Sequence, residues 1–183
     1  MNETLKTILE RYSCRDFASA PLTDEQLDAI TQAALAAPSA INMQPWKVII
    51  VTDKALIEEI DAIGVEQLTA GGDRATYERI QSRGGKMLYN APCMVVIAIE
   101  DTKYSRFDCG ILTQNVALAA HSLGLGSVIC AMVGQVFAGP RGEELRARLR
   151  FPEGYSFGMS VLIGTPNSGK EPHALEWDKV IRI

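Results

Sequence analysis

The sequence contains only two histidines, His121 and His173, and its four cysteines, Cys14, Cys93, Cys109 and Cys130, show no C-x-x-C spacing. A closed zinc site needs four nitrogen or sulfur ligands at characteristic spacings, so no metal is expected. Positive charge is also scarce. Lys and Arg total 18 against 22 Asp and Glu, a net charge of -4, which leaves out the dense cationic surface that a phosphate backbone requires. Nucleic acid is therefore not an expected partner. The N-terminus has acidic residues in a helical pattern where a secretory signal has a basic start and a continuous apolar stretch. The expected address is cytoplasmic, with free thiols. Ala117 to Gly134 has no Asp, Glu, Lys or Arg and approaches the length of a short membrane span. His121, Ser122, Gly124, Gly126 and Ser127 interrupt it, however, and Leu123-Gly124-Leu125-Gly126 reads as a helix stop before a buried strand, so no membrane association is expected.

What is present is a globular composition. Of 183 residues 47% are hydrophobic and 22% charged, which fits a single domain over 1–183. Leu5, Ile8 and Leu9 predict a short helix over 4–12. Thr23 and Gln26 form a capping-box pair, and Leu27, Ile30, Ala34 and Leu35 carry a second helix to Ala37, where Pro38 ends it. Trp46–Val51 reads as a buried strand, followed by a helix capped by Asp53 that carries Leu56, Ile57 and Ile60. Residues 64–90 turn polar around Gly71-Gly72 and Gly84-Gly85, and read as an excursion or lid with weak helical patterning near Tyr77 and Ile80. A second strand follows from Cys93 to Ile99, then a long central helix from Arg106 to Leu123, rich in small residues that permit close packing. A third strand is expected over Ser127 to Val133, a short helix over Glu143 to Leu149, and a fourth strand over Ser156 to Ile163. This order predicts an α+β sandwich or a three-layer α/β domain. Residues 170–183 are too poor in apolar content to fold alone and form an extension along the domain or a partner.

Two segments suit chemistry. Arg11-Tyr12-Ser13-Cys14-Arg15 sets two guanidiniums and a hydroxyl at the end of a helix, a pattern matched to phosphate oxygens and equally to a solvated helix end with a favourable dipole. Pro38-Ser39-Ala40-Ile41-Asn42-Met43-Gln44-Pro45 offers amides that can read the edge of a heteroaromatic ring, or bond locally within a turn. Gly124-Leu125-Gly126-Ser127 follows a helix and opens a strand, the reverse of a dinucleotide fingerprint. Cys14 sits between two arginines that favour a lowered thiol pKa, without a neighbouring His to complete a nucleophile. Asp108 reads as a cap or ion-pair partner at the start of the central helix.

Taken in order, Arg11-x-Ser13-x-Arg15-x-Phe17, then Pro38-Ser39 with Asn42 and Gln44-Pro45-Trp46, then the helix from Asn115 to Gly126, resemble the nitroreductase family of FMN-dependent oxidoreductases over nearly the whole chain. The resemblance implies an α+β fold, a three-layer α/β/α sandwich with a mainly antiparallel sheet, in a homodimer holding FMN at two interface sites. Carried over residue by residue, it implies that Arg11, Ser13 and Arg15 contact the phosphate, ribityl chain and ring edge. Pro38, Ser39 and Asn42 approach the flavin across the interface, and Val133-Gly134 lies near the reactive flavin nitrogen with its backbone amides. Many relatives have an acidic residue where Val133 stands. Lys170 and His173 match the C-terminal residues that reach the phosphate. The implied activity is electron transfer from NADH or NADPH to a small electron-poor acceptor, a nitroarene, quinone or enone, by a ping-pong cycle. The flavin carries the chemistry, no side chain serves as catalytic acid, and Arg15 supplies electrostatic support. A non-catalytic protein that stores FMN or senses redox state is the alternative, and a specialised relative that fragments flavin or removes halogen is a third.

Overall fold

The computed structural model describes residues 1–71 and 73–183. Among them, seven helices are formed: α1 Glu3–Glu10, α2 Asp24–Leu35, α3 Lys54–Ala70, α4 Arg74–Gln81, α5 Ser105–Ser122, α6 Val133–Ala138 and α7 Gly142–Arg148. Four strands, β1 Trp46–Val51, β2 Cys93–Glu100, β3 Gly126–Ile129 and β4 Tyr155–Gly164, form one sheet in the order β1-β2-β4-β3, every neighbouring pair antiparallel. The fold is α+β, and no helix among the described residues is long and apolar enough to cross a membrane.

Strand periodicity divides the core. Trp46, Cys93, Val95, Ile97, Ile99, Val161 and Ile163 share one cluster with Ile30 and Ala34 of α2 and Leu112, Val116 and Ala120 of α5. The alternate residues Val51, Met94, Val96, Val128 and Leu162 cluster with Ile57 and Ile60 of α3, Val136 and Phe137 of α6, and Leu145 of α7. Both faces of β2 are thus buried, which is why its sequence is apolar throughout rather than alternating. One irregularity aims a side chain. The register between β2 and β4 shifts at Ile97/Ala98, so that Gly158 is the extra residue and Phe157 joins the α6 side while Met159 joins the α5 side. A Cβ on Gly158 would stand 2.8 Å from both Cys109 Sγ and Ile99 Cγ2, so only glycine lets α5 lie this close to the bulge.

The caps read from the sequence are formed. Thr23 Oγ1 accepts the Gln26 N–H at 3.3 Å while Gln26 Oε1 accepts the Thr23 N–H at 3.0 Å, and Asp53 Oδ1 accepts from Ala55 and Leu56. At the end of α5, Gly124 has φ +74°, its N–H bonds His121 O and the Leu125 N–H bonds Ala120 O at 2.9 Å. This left-handed stop turns the chain directly into β3.

Two expectations differ from the structure. The third strand ends at Ile129 instead of Val133. The Cys130 carbonyl is taken by the Ser160 hydroxyl at 2.6 Å, which closes the ladder, and Val133 opens α6. Val133, Val136 and Phe137 have helical spacing, a signal masked by the β-branched run before them. Of the excursion expected over 64–90, the described residues 64–71 and 73–90 include core positions: α3 continues to Ala70, α4 spans Arg74–Gln81, and Ile80, Met87, Leu88 and Tyr89 are buried.

Asp61, only 3% exposed, anchors that segment. Its Oδ1 accepts the Leu88 N–H at 2.6 Å, and Lys86 Nζ lies 3.6 Å from Oδ2. Burial pushes its carboxyl pKa up, and the Leu88 N–H and Lys86 only partly oppose this. A carboxyl that holds its proton more tightly in the folded chain costs stability as pH rises from its ordinary value of 3.8 through the raised one. Asp61→Asn is therefore expected to gain stability over the parent as pH rises from 4 to 7, read by urea unfolding. A difference independent of pH would refute it.

Candidate functional site

The first site segment is placed by the edge of the sheet. After Arg11 ends α1, residues 13–18 run extended beside β3 and the exit of β4. Ser13 bridges Ser127, the Cys14 N–H donates to Ser127 O at 2.9 Å, Phe17 bridges Pro166, and the Ala18 N–H donates to Thr165 O at 2.8 Å. Alternation along an extended chain then sends Cys14 inward and Ser13 and Arg15 to the other side. Cys14 is buried against Gly126, where a Cβ would lie 2.8 Å from both its Cβ and its Sγ. Burial pushes the Cys14 thiol pKa up; Arg15 opposes this only weakly. The lowered pKa suggested by its flanking arginines is thus corrected, and Cys14 is a packing residue whose Sγ donates to Asp16 O.

Outside this segment lies a cleft of about 240 Å³ bordered by Tyr12, Ser13, Cys14, Arg15, Asp16, Arg83, Ser168 and Lys170. Arg15 and Arg83 also border an adjacent cleft of about 240 Å³, whose walls add Arg79, Ile80, Tyr89 and Val128 through Met132. Among the described residues none of Arg15, Arg79, Arg83 and Lys170 is in an ion pair. Arg15 Nη1 reaches only Ser13 O at 3.4 Å, and the Asp16 carboxylate takes Asn167 Nδ2 at 2.8 Å. In a chain with excess acid, Arg15 and Lys170, without a carboxylate partner among the described residues and bordering one cleft with the Ser13 hydroxyl, fit a phosphate group.

The remaining expected site residues fall elsewhere. Arg11 is half-buried and does not border either cleft. His173 is exposed on the C-terminal extension, and only Lys170 of that pair lies at the first cleft. Val133 and Gly134 open α6 just beyond the second cleft. Their amides have partners: the Gly134 N–H donates to Ala131 O at 3.0 Å, and those of Met132 and Val133 face the Cys130 sulfur. Burial nonetheless pushes the Cys130 thiol pKa up.

Pro38, Ser39 and Asn42 belong to a loop of unusual backbone. Ile41, Asn42 and Gln44 have φ of 46°, 58° and 49°, and the Ile41 side chain is 93% exposed. A β-branched residue in the left-handed region is strained, at about 1–3 kcal/mol, and such strain concentrates at functional surfaces. Internal bonds hold the loop: Ser39 Oγ accepts the Gln44 N–H at 2.9 Å, and Asn42 Oδ1 accepts Gln44 Nε2 at 3.0 Å. Asp108, 4% exposed, accepts the Ala40 N–H at 3.1 Å with Oδ1, while its Oδ2 has no partner among the described residues. Among the described residues Asp108 thus neither caps α5 nor forms an ion pair; it ties this loop to the central helix. The sequence reading missed Arg79 and Arg83: Arg79 lies on α4 and Arg83 in the turn just after it, and their meeting at one cleft with Arg15 depends on how that turn packs.

Residues 8–164 match the Nitroreductase family. An FMN reductase [NAD(P)H] of Bacillus subtilis is 32% identical, over 94% of this chain and 70% of that protein. An NADPH-flavin oxidoreductase of Vibrio harveyi is 31% identical, over 93% of this chain and 69% of that protein. Among solved structures, a nitroreductase with bound FMN from Desulfitobacterium hafniense superposes with a TM-score of 0.97 at 49% identity, covering 100% of this chain and 99% of the other. With the segments that carry its sequence motifs and its fold agreeing over nearly the full length, the chain belongs to the nitroreductase family.

Proposed function

We propose that this chain, as a homodimer, binds FMN along the Ser13–Arg15 segment and passes electrons from NADH or NADPH to a small electron-poor acceptor such as a nitroarene, quinone or enone. Family membership carries the coarser statement, that the chain is an FMN-dependent NAD(P)H oxidoreductase. The single observation that carries the placement is the unpaired cationic cleft at the edge of β3. Ser13, Arg15 and Lys170 would hold the phosphate there, with Arg11 and His173 approaching from either end, and Pro38, Ser39 and Asn42 would come from the partner copy. Val133-Gly134 would lie against the ring. When bound, FMN supplies the capacity to accept hydride from a nicotinamide and release the electrons to a second molecule, which gives a ping-pong cycle.

The protein's own contribution is binding and electrostatics. Arg15 borders both clefts and carries a permanent positive charge suited to stabilising negative charge in either. Large apolar side chains left exposed on a single chain support the dimer: Ile41 at 93%, Phe107 at 72%, Trp177 at 71% and Ile181 at 85%. Apolar clusters on both sides of the sheet support the three-layer arrangement, and a cytoplasmic address belongs to the same reading.

The test is the visible spectrum of the purified protein, with its mass in solution by light scattering. A flavin spectrum that bleaches with NADPH or NADH and recovers with a nitroarene or quinone, parallel double-reciprocal plots, and twice the chain mass are expected. Bleaching without turnover would point to storage of FMN instead, and a colourless protein that takes up no added FMN would overturn the site.

A further inference from the structure

We propose that a separate cavity, with Asp61 and Lys86 in its wall, binds a neutral planar heterocycle through a lactam edge, an N–H beside a C=O. The inference does not depend on where FMN sits. The cavity, of about 440 Å³, lies between the start of α3, the residue after β1 and the segments 17–21 and 86–92. That volume suits a small ligand. It shares no wall residue with either cationic cleft, and its charge is different as well. Lys54 pairs with Glu58 at 3.7 Å and Lys86 with Asp61 at 3.6 Å, so two ammoniums and two carboxylates cancel in the wall. A bound anion would meet the Asp61 carboxylate and a bound cation the Lys86 ammonium, which leaves a neutral molecule as the favoured occupant.

The polar pair supplies the recognition. Asp61 is 3% exposed, and its Oδ1 accepts the Leu88 N–H at 2.6 Å, which anchors the 86–92 segment without drawing on Oδ2. Lys86 Nζ, 3.6 Å from Oδ2, stands beyond hydrogen-bond length. An acceptor oxygen and a donor nitrogen thus lie side by side with bonding capacity left over. They complement the N–H and C=O of a lactam, which need one acceptor and one donor on the same edge, and both bonds would be charge-assisted. Phe17, Ile57, Leu88 and Pro92 give the cavity apolar surface against which a ring can lie. An ion pair that served the fold alone would be packed over by its neighbours rather than left beside a space of this size. Between Leu88 and Asn90, which line the cavity, Tyr89 turns to the second cleft, so one short segment walls both sites.

The protein as purified, labelled with nitrogen-15, would be titrated with quinazoline-2,4-dione and with its 1,3-dimethyl derivative, which lacks the N–H. Benzoate and benzylamine serve as charged probes. With the dione, amide shifts at Thr52, Ile57, Leu88 and Asn90 are expected, with a Kd on the order of 1 mM or below, as suits a fragment of this size. The dimethyl compound and both charged probes should bind more weakly by about tenfold or more. Lys86→Met removes the donor from a half-exposed position, and Asp61→Asn keeps an acceptor for Leu88 while turning Oδ2 into an amino donor. Each should lower dione affinity by about tenfold or more, with the amide spectrum of the core unchanged. The comparison of dione with dimethyl compound is made on the parent, so it decides the matter even where a variant does not fold. No shift at those residues, equal affinity for the dimethyl compound, tighter binding of either charged probe, or unchanged dione affinity in either folded variant would overturn the site. Shifts confined to Ser13, Arg15 and Met132 would overturn it too, by sending the dione to the cationic clefts.

Discussion

Arg15→Ala is expected to release FMN while leaving the fold intact. Its guanidinium is half-buried, borders both clefts and makes a single bond among the described residues, 3.4 Å to Ser13 O. Little folding energy depends on a contact that long. A hydrogen bond to a charged group contributes about 1.5–3 kcal/mol. Losing one such bond to FMN therefore weakens binding by roughly 10- to 150-fold, and losing a bidentate pair by more. Fluorescence titration of FMN into the stripped protein measures this directly, with thermal unfolding of the apoprotein as the control. Arg15→Lys should fall between parent and alanine, because it keeps the charge but not the planar fork. Unchanged FMN affinity in Arg15→Ala would remove Arg15 from the site. A large fall in apoprotein melting temperature would show that its role is structural.

Phe137→Ala is expected to have the largest effect on stability. The ring is 1% exposed, and its centroid lies 5.2 Å from that of Phe151 and 5.4 Å from that of Phe157, the residue turned inward by the bulge in β4. Removing a buried phenyl group costs about 3–5 kcal/mol, a large share of the 5–15 kcal/mol typical of a folded domain. At this chain length each kilocalorie corresponds to roughly 2–4 °C, so the melting temperature should fall by on the order of 6–20 °C. Phe137 also lies on α6, one turn after Val133-Gly134, so the same change should loosen the segment proposed to face the flavin ring. Phe137→Leu, which leaves a smaller cavity, should lose much less. Similar melting temperatures for the alanine and leucine variants would mean that the aromatic cluster contributes little.

Both predictions concern residues whose importance was only partly legible. Ser13 and Arg15 are two apart, and two residues on an extended chain face the same way, so a shared direction follows from local geometry. Their meeting with Lys170 and Arg83 does not, because it depends on the Ser13–Ser127 and Phe17–Pro166 bridges that lay the N-terminal segment along the sheet edge. Residues 64–90 show the reverse case. The polar residues of α4 describe its exposed side, whereas Ile80 alone and the three-residue run Met87-Leu88-Tyr89 after a glycine turn are too short to show a helical or strand period, although they fill the core beside α3. Asp108 illustrates a third kind of failure. An acidic residue in the first turn of a helix suggests a cap, yet its burial and its bond to Ala40 arise from a loop 68 residues away in sequence.

The sequence by itself determined what neighbouring residues decide among themselves. It set the apolar runs that become β1, β2 and β4, the Thr23 and Asp53 caps, the Gly124 stop and the motif segments that mark the family. Tertiary structure decided where β3 ends, since the Ser160 hydroxyl takes the Cys130 carbonyl, and which cations converge. The physical reason is range. Caps and periodicity act over a few residues, while a binding cleft is made by segments that meet only after the sheet has formed. Charges left unpaired there are visible only once every neighbour that could have paired them has taken its place.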